Sequence, residues 1–350
     1  MQRLGRAVAA VFAIGVLGNA FGGAAAQAEC RIKMLGEFPL QETRGSPWIK
    51  ATVNNVPADL LADTGSVLTI INSSDATRVN AATSAYPGLQ SYGVGGPVAT
   101  KISTLDFTIG KTRLKEAVIV LDGAASKGAP MVILGRDLLM QHDLELDLAN
   151  HALRILQPDG CQAVQLVYWN KPYSQVKLQS DGTDRSAILV DVLLNGHLIP
   201  AMIDSGANVS VVTPEAAALA GVHLDQTAAH GEAHGLGPNA IDVRLAEFSS
   251  FTIGDETIQN VQIKVADLWK YNKISQTGTR LGTNDTMLSP KMLLGADFLH
   301  AHRLLIAHSQ GLVLFSYVGG PVFDTSPEPA GGHSQTAPAG GRSQTSSASH

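Results

Sequence analysis

Two short segments carry residues whose types and spacing suit acid–base chemistry, Asp63-Thr64-Gly65-Ser66 and Asp204-Ser205-Gly206-Ala207. A single Asp-Thr-Gly or Asp-Ser-Gly is ordinary turn sequence. Here each copy follows an apolar stretch, Leu60-Leu61-Ala62 or Ala201-Met202-Ile203, and each precedes another. If equivalent loops bring the two carboxyl groups together, both cannot ionise cheaply and one proton is held between them. The ionised member can then take a proton from water, while the protonated member donates to a carbonyl oxygen. Thr64 and Ser205 supply hydroxyls that can brace the loops across a symmetry axis. Gly65 and Gly206 allow close backbone approach and offer amides to the carboxylates. Ser66 is matched by Ala207, so a Ser66 hydroxyl donating to Asp63 would make Asp63 the anion and Asp204 the acid.

The elements that must position these loops form an internal repeat. Asp63 and Asp204 are 141 residues apart. Phe107-Thr108-Ile109-Gly110 returns intact as Phe251-Thr252-Ile253-Gly254, and Ile133-Leu134-Gly135-Arg136-Asp137 returns as Leu293-Leu294-Gly295-Ala296-Asp297. The order is kept, and the offsets grow through insertions, the largest around Asp267 to Pro290. Each unit reads as mostly β. Trp48 to Leu61 and Ala187 to Ile203 are hairpins turning at Asn54-Asn55 and Asn195-Gly196. Short helices are expected from Pro214 with Thr213 as N-cap, and over 136–142 and 296–302. The expected architecture is mainly β, two homologous β-barrel lobes related by a pseudo-twofold axis.

Between each Asp loop and the Phe-Thr-Ile-Gly strand lies a glycine-rich turn, Ser91-Tyr92-Gly93-Val94-Gly95-Gly96-Pro97 or Ala233-His234-Gly235-Leu236-Gly237-Pro238. Mobile hairpin tips of this kind suit flaps closing over an extended ligand, with Tyr92 and His234 in corresponding places. His230-Gly231-Glu232-Ala233-His234 lacks the spacing and helix context of a metal motif. No metal and no cofactor is expected. His300, His302 and His308 are expected to face solvent.

Composition and the chain ends bound the rest. Of the 350 residues, 45% are hydrophobic and 16% charged, the balance of a packed globular protein. A net charge of −5 leaves no basic footprint for nucleic acid. Arg3 and Arg6, the apolar Ala7 to Phe21 and the small residues Ala26-Gln27-Ala28 form a secretory signal, residues 1–28. The apolar run is short for a bilayer span and contains Asn19, so no membrane span is expected in the mature protein. An exported chain with only two cysteines, Cys30 and Cys161, favours a disulfide between them. The domains expected are an N-terminal lobe over 29–157, a linker over 158–173, a C-terminal lobe over 174–318 and a disordered low-complexity tail over 319–350.

These motifs resemble the retropepsin-like and pepsin-like aspartic peptidases over nearly all of Leu40 to Tyr317, in the form of a single exported bacterial chain with two lobes. Asp63-Thr64-Gly65-Ser66 and Asp204-Ser205-Gly206-Ala207 match the catalytic loops, and Ile133-Leu134-Gly135-Arg136-Asp137-Leu138-Leu139 is similar to the stretch that closes a retropepsin subunit. The resemblance implies an aspartic endopeptidase with Asp63 and Asp204 as catalytic dyad. It also implies a monomer acting on peptides or proteins, and the secretory signal directs the expected enzyme to the periplasm or outside the cell. Tyr92-Gly93-Val94-Gly95 is similar to a flap tip whose tyrosine leans over substrate. Arg136 implies a structural ion pair near the dyad, and the second lobe departs from the pattern with Ala296. One alternative is a catalytically inactive peptide-binding module of the same fold. The other is a structural or carbohydrate-binding tandem barrel.

Overall fold

β-Branched and aliphatic residues that alternate with polar ones make half-buried strands, and both repeats are written this way. The fold comes from a computed structural model that describes residues 29–43, 45–122, 129–179, 187–224, 230–271 and 290–323. The expected signal segment and the chain beyond Phe323 lie outside the described residues, as does most of the second-lobe insertion.

The first unit contains β1 (Arg31–Thr43), β2 (Ser46–Val53), β3 (Val56–Ala62), β4 (Ile70–Asn72), β5 (Thr83–Gly93), β6 (Gly96–Ile109), β7 (Thr112–Leu121), β8 (Val132–Leu134), β9 (Asp143–Asp147) and β10 (Ala152–Asp159). The second contains β11 (Ser174–Lys177), β12 (Leu189–Leu194), β13 (His197–Ile203), β14 (Val211–Val212), β15 (His230–His234), β16 (Ala240–Ile253), β17 (Glu256–Val265), β18 (Met292–Leu294), β19 (His302–Ala307) and β20 (Leu312–Tyr317). Short helices are α1 (Ser73–Arg78), α2 (Arg136–Leu139), α3 (Ala163–Leu166), α4 (Pro214–Leu219) and α5 (Ala296–Leu299).

The two units share one topology. The first lobe runs β2-β3-β8-β4-β7-β6-β5 with β2 also on β6, and the second runs β12-β13-β18-β14-β17-β16-β15 with β12 also on β16. Both hairpins form as expected, and their turns hold Asn54, Asn55, Asn195 and Gly196 at positive φ, the backbone a two-residue turn requires. Phe107 and its repeat Phe251 are both buried in one apolar core spanning the molecule. Thr213 caps α4, its Oγ1 accepting the Ala216 amide at 3.3 Å.

What joins the lobes is a shared sheet, ordered β11-β20-β19-β9-β10-β1. Its central seam pairs β9 with β19 antiparallel, Leu146 opposite Leu304. Across that seam Arg303 Nη2 stands 2.9 Å from the fully buried Glu145 carboxylate. The disulfide between Cys30 and Cys161 is formed, just beyond the pair Arg31 and Asp159 that ends the β1–β10 ladder.

Three local expectations change. Helices α2 and α5 are only four residues long, because the chain must turn at once into β9 and β19 of the shared sheet. His302 does not face solvent: it is fully buried, stacked on Phe298 at 4.0 Å between ring centroids, with Nε2 3.0 Å from Glu256 Oε1. The tail expected from Gly319 begins too early. Phe323 is buried and packs edge-on against Phe251 at 4.8 Å, so the chain contributes an aromatic anchor to the core after the glycines at 319 and 320. Among the described residues no helix is long and apolar enough to cross a membrane.

Candidate active site

Each aspartate sits where a strand ends against its parallel neighbour. Asp63 follows β3 and its amide donates to Leu134 O of β8 at 3.0 Å; Asp204 follows β13 and its amide donates to Leu294 O of β18 at 3.0 Å. Behind each loop the same bracket forms. Asp137 accepts the Thr69 amide at 2.9 Å and its hydroxyl at 2.8 Å, while the Thr69 oxygen accepts the Gly135 amide at 3.1 Å. In the second lobe Asp297 accepts from the Ser210 amide and hydroxyl, and Ser210 Oγ accepts the Gly295 amide at 2.9 Å. The Asp of each Gly-x-Asp run therefore anchors the exit of the Asp-x-Gly loop rather than capping a helix, for which Gly135 and Gly295 have no side chain. The signal for this was present in the sequence: a hydroxyl residue stands six positions after each of Asp63 and Asp204.

The loops meet at the pseudo-twofold axis. Thr64 and Ser205 are buried and exchange bonds, each backbone amide donating to the other side chain's oxygen at 3.0 and 2.9 Å. Their hydroxyls donate onward across the axis, Thr64 Oγ1 to Ile203 O at 2.8 Å and Ser205 Oγ to Ala62 O at 2.7 Å. The two carboxyl groups thereby come within hydrogen-bonding contact of one another. Asp63 Oδ1 accepts the Gly65 and Ser66 amides at 2.8 and 3.1 Å, and Asp204 Oδ1 accepts those of Gly206 and Ala207 at 3.0 and 3.1 Å. Any Cβ on Gly65 would collide with the Asp204 carboxyl, and any on Gly206 with that of Asp63, so both positions admit only glycine.

Electrostatics follow from this packing. Burial pushes Asp63 above the usual carboxylate range, opposed by its two amide donors and by the Arg136 charge. Asp204 is pushed up to about 8, by burial first and then by the Asp63 charge. The expected role of Ser66 is overturned: its hydroxyl donates to Leu68 O at 2.8 Å, closing its own turn, and only its backbone amide serves Asp63. What separates the lobes is Arg136. Its guanidinium donates to Thr64 O at 2.7 Å and Gly65 O at 3.0 Å beneath the first loop, where the second lobe has Ala296. The Ser66 hydroxyl therefore lends nothing to the expected division of charge between the two carboxyls; the Arg136 charge, which lowers Asp63, is the asymmetry present in its place.

The two glycine-rich turns are hairpin tips. Gly93 pairs with Gly96, Tyr92 with Pro97 and His234 with Ala240, leaving Gly235 in the second tip. The tips interlock: the Gly95 amide donates to Leu236 O at 2.7 Å, and the Asn239 amide and side chain donate to Gly95 O at 3.2 and 2.8 Å. Each also packs into the opposite lobe. Val94 lies on the second-lobe cluster that includes Met202, Val211 and Leu293, and Leu236 lies on the first-lobe cluster of Ile70, Ile119 and Leu121. Val94 and Leu236 lie within the turns read from the sequence but were given no role there, and Asn239 was not named, because only a structure reveals that the tips cross. Tyr271, at the root of the insertion, braces the second flap through its hydroxyl, which donates to Ala240 O at 3.2 Å. Among the described residues no cluster could hold a metal ion.

The chain is similar to an aspartic proteinase from Irpex lacteus at 13% identity and a TM-score of 0.49, covering 83% of this chain and 98% of that one. EIAV protease in complex with an inhibitor is similar at 26% identity and a TM-score of 0.23, covering 27% of this chain and 86% of that one. No curated protein sequence matches. The aspartyl protease family model matches residues 49–138 and again 190–298, one Asp-x-Gly loop and one Gly-x-Asp bracket in each match. Those two matches take in more than half of the chain, which belongs to the aspartyl protease family.

Proposed function

We propose that the protein is an aspartic endopeptidase that hydrolyses peptide bonds with water activated by Asp63 and Asp204. The observation that carries this reading is the contact between two carboxyl groups, each held by two backbone amides beneath interlocking flaps. Asp63, whose carboxyl the Arg136 charge lowers, acts as the base that takes a proton from the attacking water. Asp204 holds its proton at neutral pH and donates it to the carbonyl oxygen as the tetrahedral intermediate forms. The hydroxyl exchange between Thr64 and Ser205 keeps the carboxyls in register, so no reorganisation is needed during reaction. Flap opening admits an extended peptide, and closure excludes water from it. One chain supplies both halves, so a monomer is sufficient.

Peptide-library digestion by the purified protein, read by mass spectrometry, tests the reading. Asp63→Asn and Asp204→Asn should each lower kcat/KM by about a thousandfold or more while leaving the fold intact. Substantial turnover in either folded variant would overturn it, and binding without turnover in the parent would instead favour the inactive peptide-binding module. The disulfide also supports export to a periplasmic or extracellular compartment. Thiol alkylation of separated cell fractions, with and without prior reduction, tests that.

A further inference from the structure

The walls on either side of the dyad differ at one position that the fold makes equivalent. In the first lobe Ile119 on β7 pairs with Ile70 on β4 and with Ile102 on β6. In the second, Lys264 on β17 pairs with Val211 on β14 and with Leu245 on β16. Residues paired on adjacent strands share a sheet face. These faces turn away from the main core, since Val118 and Val120, like Ile263 and Val265, face into it. Ile70 and Ile119 instead form the patch that receives Leu236 of the opposite flap, and Val211 belongs to the patch that receives Val94. A lysine thus replaces an isoleucine in an otherwise apolar wall beneath a flap tip.

The fold does not require that lysine. Its charge is felt by Asp297, but the Asp297 carboxylate already accepts from the Ser210 amide and hydroxyl and from the Phe298 amide. Asp137 makes the matching bonds to Thr69 and Leu138 with Ile119 in the lysine's place, so the bracket is complete without a cation. Among the described residues the Lys264 ammonium forms no ion pair, and the side chain is only partly exposed. An ammonium with apolar strand neighbours gains most from a carboxylate that reaches it on a ligand.

We propose that Lys264 makes the second-lobe subsite select an acidic side chain of the substrate, while the matching first-lobe subsite around Ile119 takes an apolar one. This rests on the peptidase reading above. The pseudo-twofold axis places the two subsites on opposite sides of the scissile bond, so the preference falls on one side only.

Cleavage profiling of a proteome-derived peptide library separates the outcomes. The parent should favour Asp or Glu over Asn or Gln about tenfold at one position, an advantage that weakens at high salt. Lys264→Ile should abolish it, and Ile119→Lys should create an acidic preference on the other side of the bond. Lys264→Met, which keeps an unbranched stem, serves as second variant if isoleucine disturbs folding. In parallel, statine-containing peptides bearing Glu, Gln or Leu at that position are titrated calorimetrically into the parent, and the Glu peptide should bind about tenfold tighter. Cleavage with no acidic preference, or with one that Lys264→Ile leaves in place, overturns this inference alone. A parent that neither cleaves the library nor binds any statine peptide overturns the peptidase reading and this inference with it.

Discussion

Thr64 Oγ1 accepts the Ser205 amide, and Ser205 Oγ accepts the Thr64 amide, so two residues from separate lobes complete each other's backbone hydrogen bonding. Both side chains are fully buried, and neither amide has water to fall back on. Thr64→Val keeps the shape but removes one acceptor and one donor, leaving the Ser205 amide and the Ile203 carbonyl unpaired. The expected loss is about 2–4 kcal/mol in urea unfolding, with turnover falling further because the carboxyl spacing relaxes. Thr64→Ser keeps the hydroxyl and should lose about 1 kcal/mol, the value of the missing methyl group.

Ser66→Ala and Arg136→Gln distinguish the two sources of asymmetry in the dyad. The Ser66 hydroxyl is spent on Leu68 O, so its removal should cost about 1 kcal/mol of stability and leave the pH profile of kcat/KM unchanged. Arg136 holds the Thr64 and Gly65 carbonyls and lowers the Asp63 pKa. Replacing it by Gln should raise the acid-limb pKa of kcat/KM, since Asp63 then needs a higher pH to ionise. Overlaid acid limbs for Arg136→Gln and parent would place the source of the asymmetry elsewhere.

The repeat was legible because equivalent positions kept their residue types: both Asp-x-Gly loops, both flaps and both Phe-Thr-Ile-Gly strands lie where their spacing placed them. The shared sheet was not. β9 alternates leucines with acidic residues and β19 is largely aliphatic; each has one neighbour in its own unit and one in the other, and no local pattern tells such a strand that its second neighbour lies across the repeat. His302 misled for a related reason. A histidine after a helix reads as surface, and only the fold places Phe298 and Glu256 against its ring. Ser66 misled because a hydroxyl beside a carboxylate has two acceptors within reach, and the turn carbonyl of Leu68 won.

Phe323 gives the C-terminal boundary a measurable consequence. It is buried against Phe251 and Phe298, with centroid separations of 4.8 and 6.1 Å. A chain ending at Gly320 should lose about 3–5 kcal/mol in denaturant unfolding, the range for emptying a phenylalanine site. A chain ending at Phe323 should keep the stability of the parent. Equal stability for the two truncations would mean that the ring adds nothing to the core.

The proton on Asp204 makes stability itself depend on pH. In the folded protein this carboxyl is pushed up to about 8, against 3.8 for an unperturbed side chain. Between those values the folded state holds a proton that the unfolded chain releases, so stability falls as pH rises through that window. Below it both states are protonated and no penalty exists; above about 8 both are ionised and the penalty is complete. Asp204→Asn has nothing to titrate at this position, and its Oδ1 can still accept the Gly206 and Ala207 amides. Comparison with the parent therefore isolates the second titration of the coupled pair. Thermal unfolding at about pH 3, 5.5 and 8 should show the closest midpoints at the lowest pH, which lies below the unperturbed value of 3.8. A gap in favour of the variant should then widen to roughly 2–4 °C or more at the highest. The same ionisation should appear in the parent's kinetics as a fall in kcat/KM above about pH 8, when the dyad loses the proton it donates. A gap that stays constant with pH would show that Asp204 does not hold a proton in the folded protein.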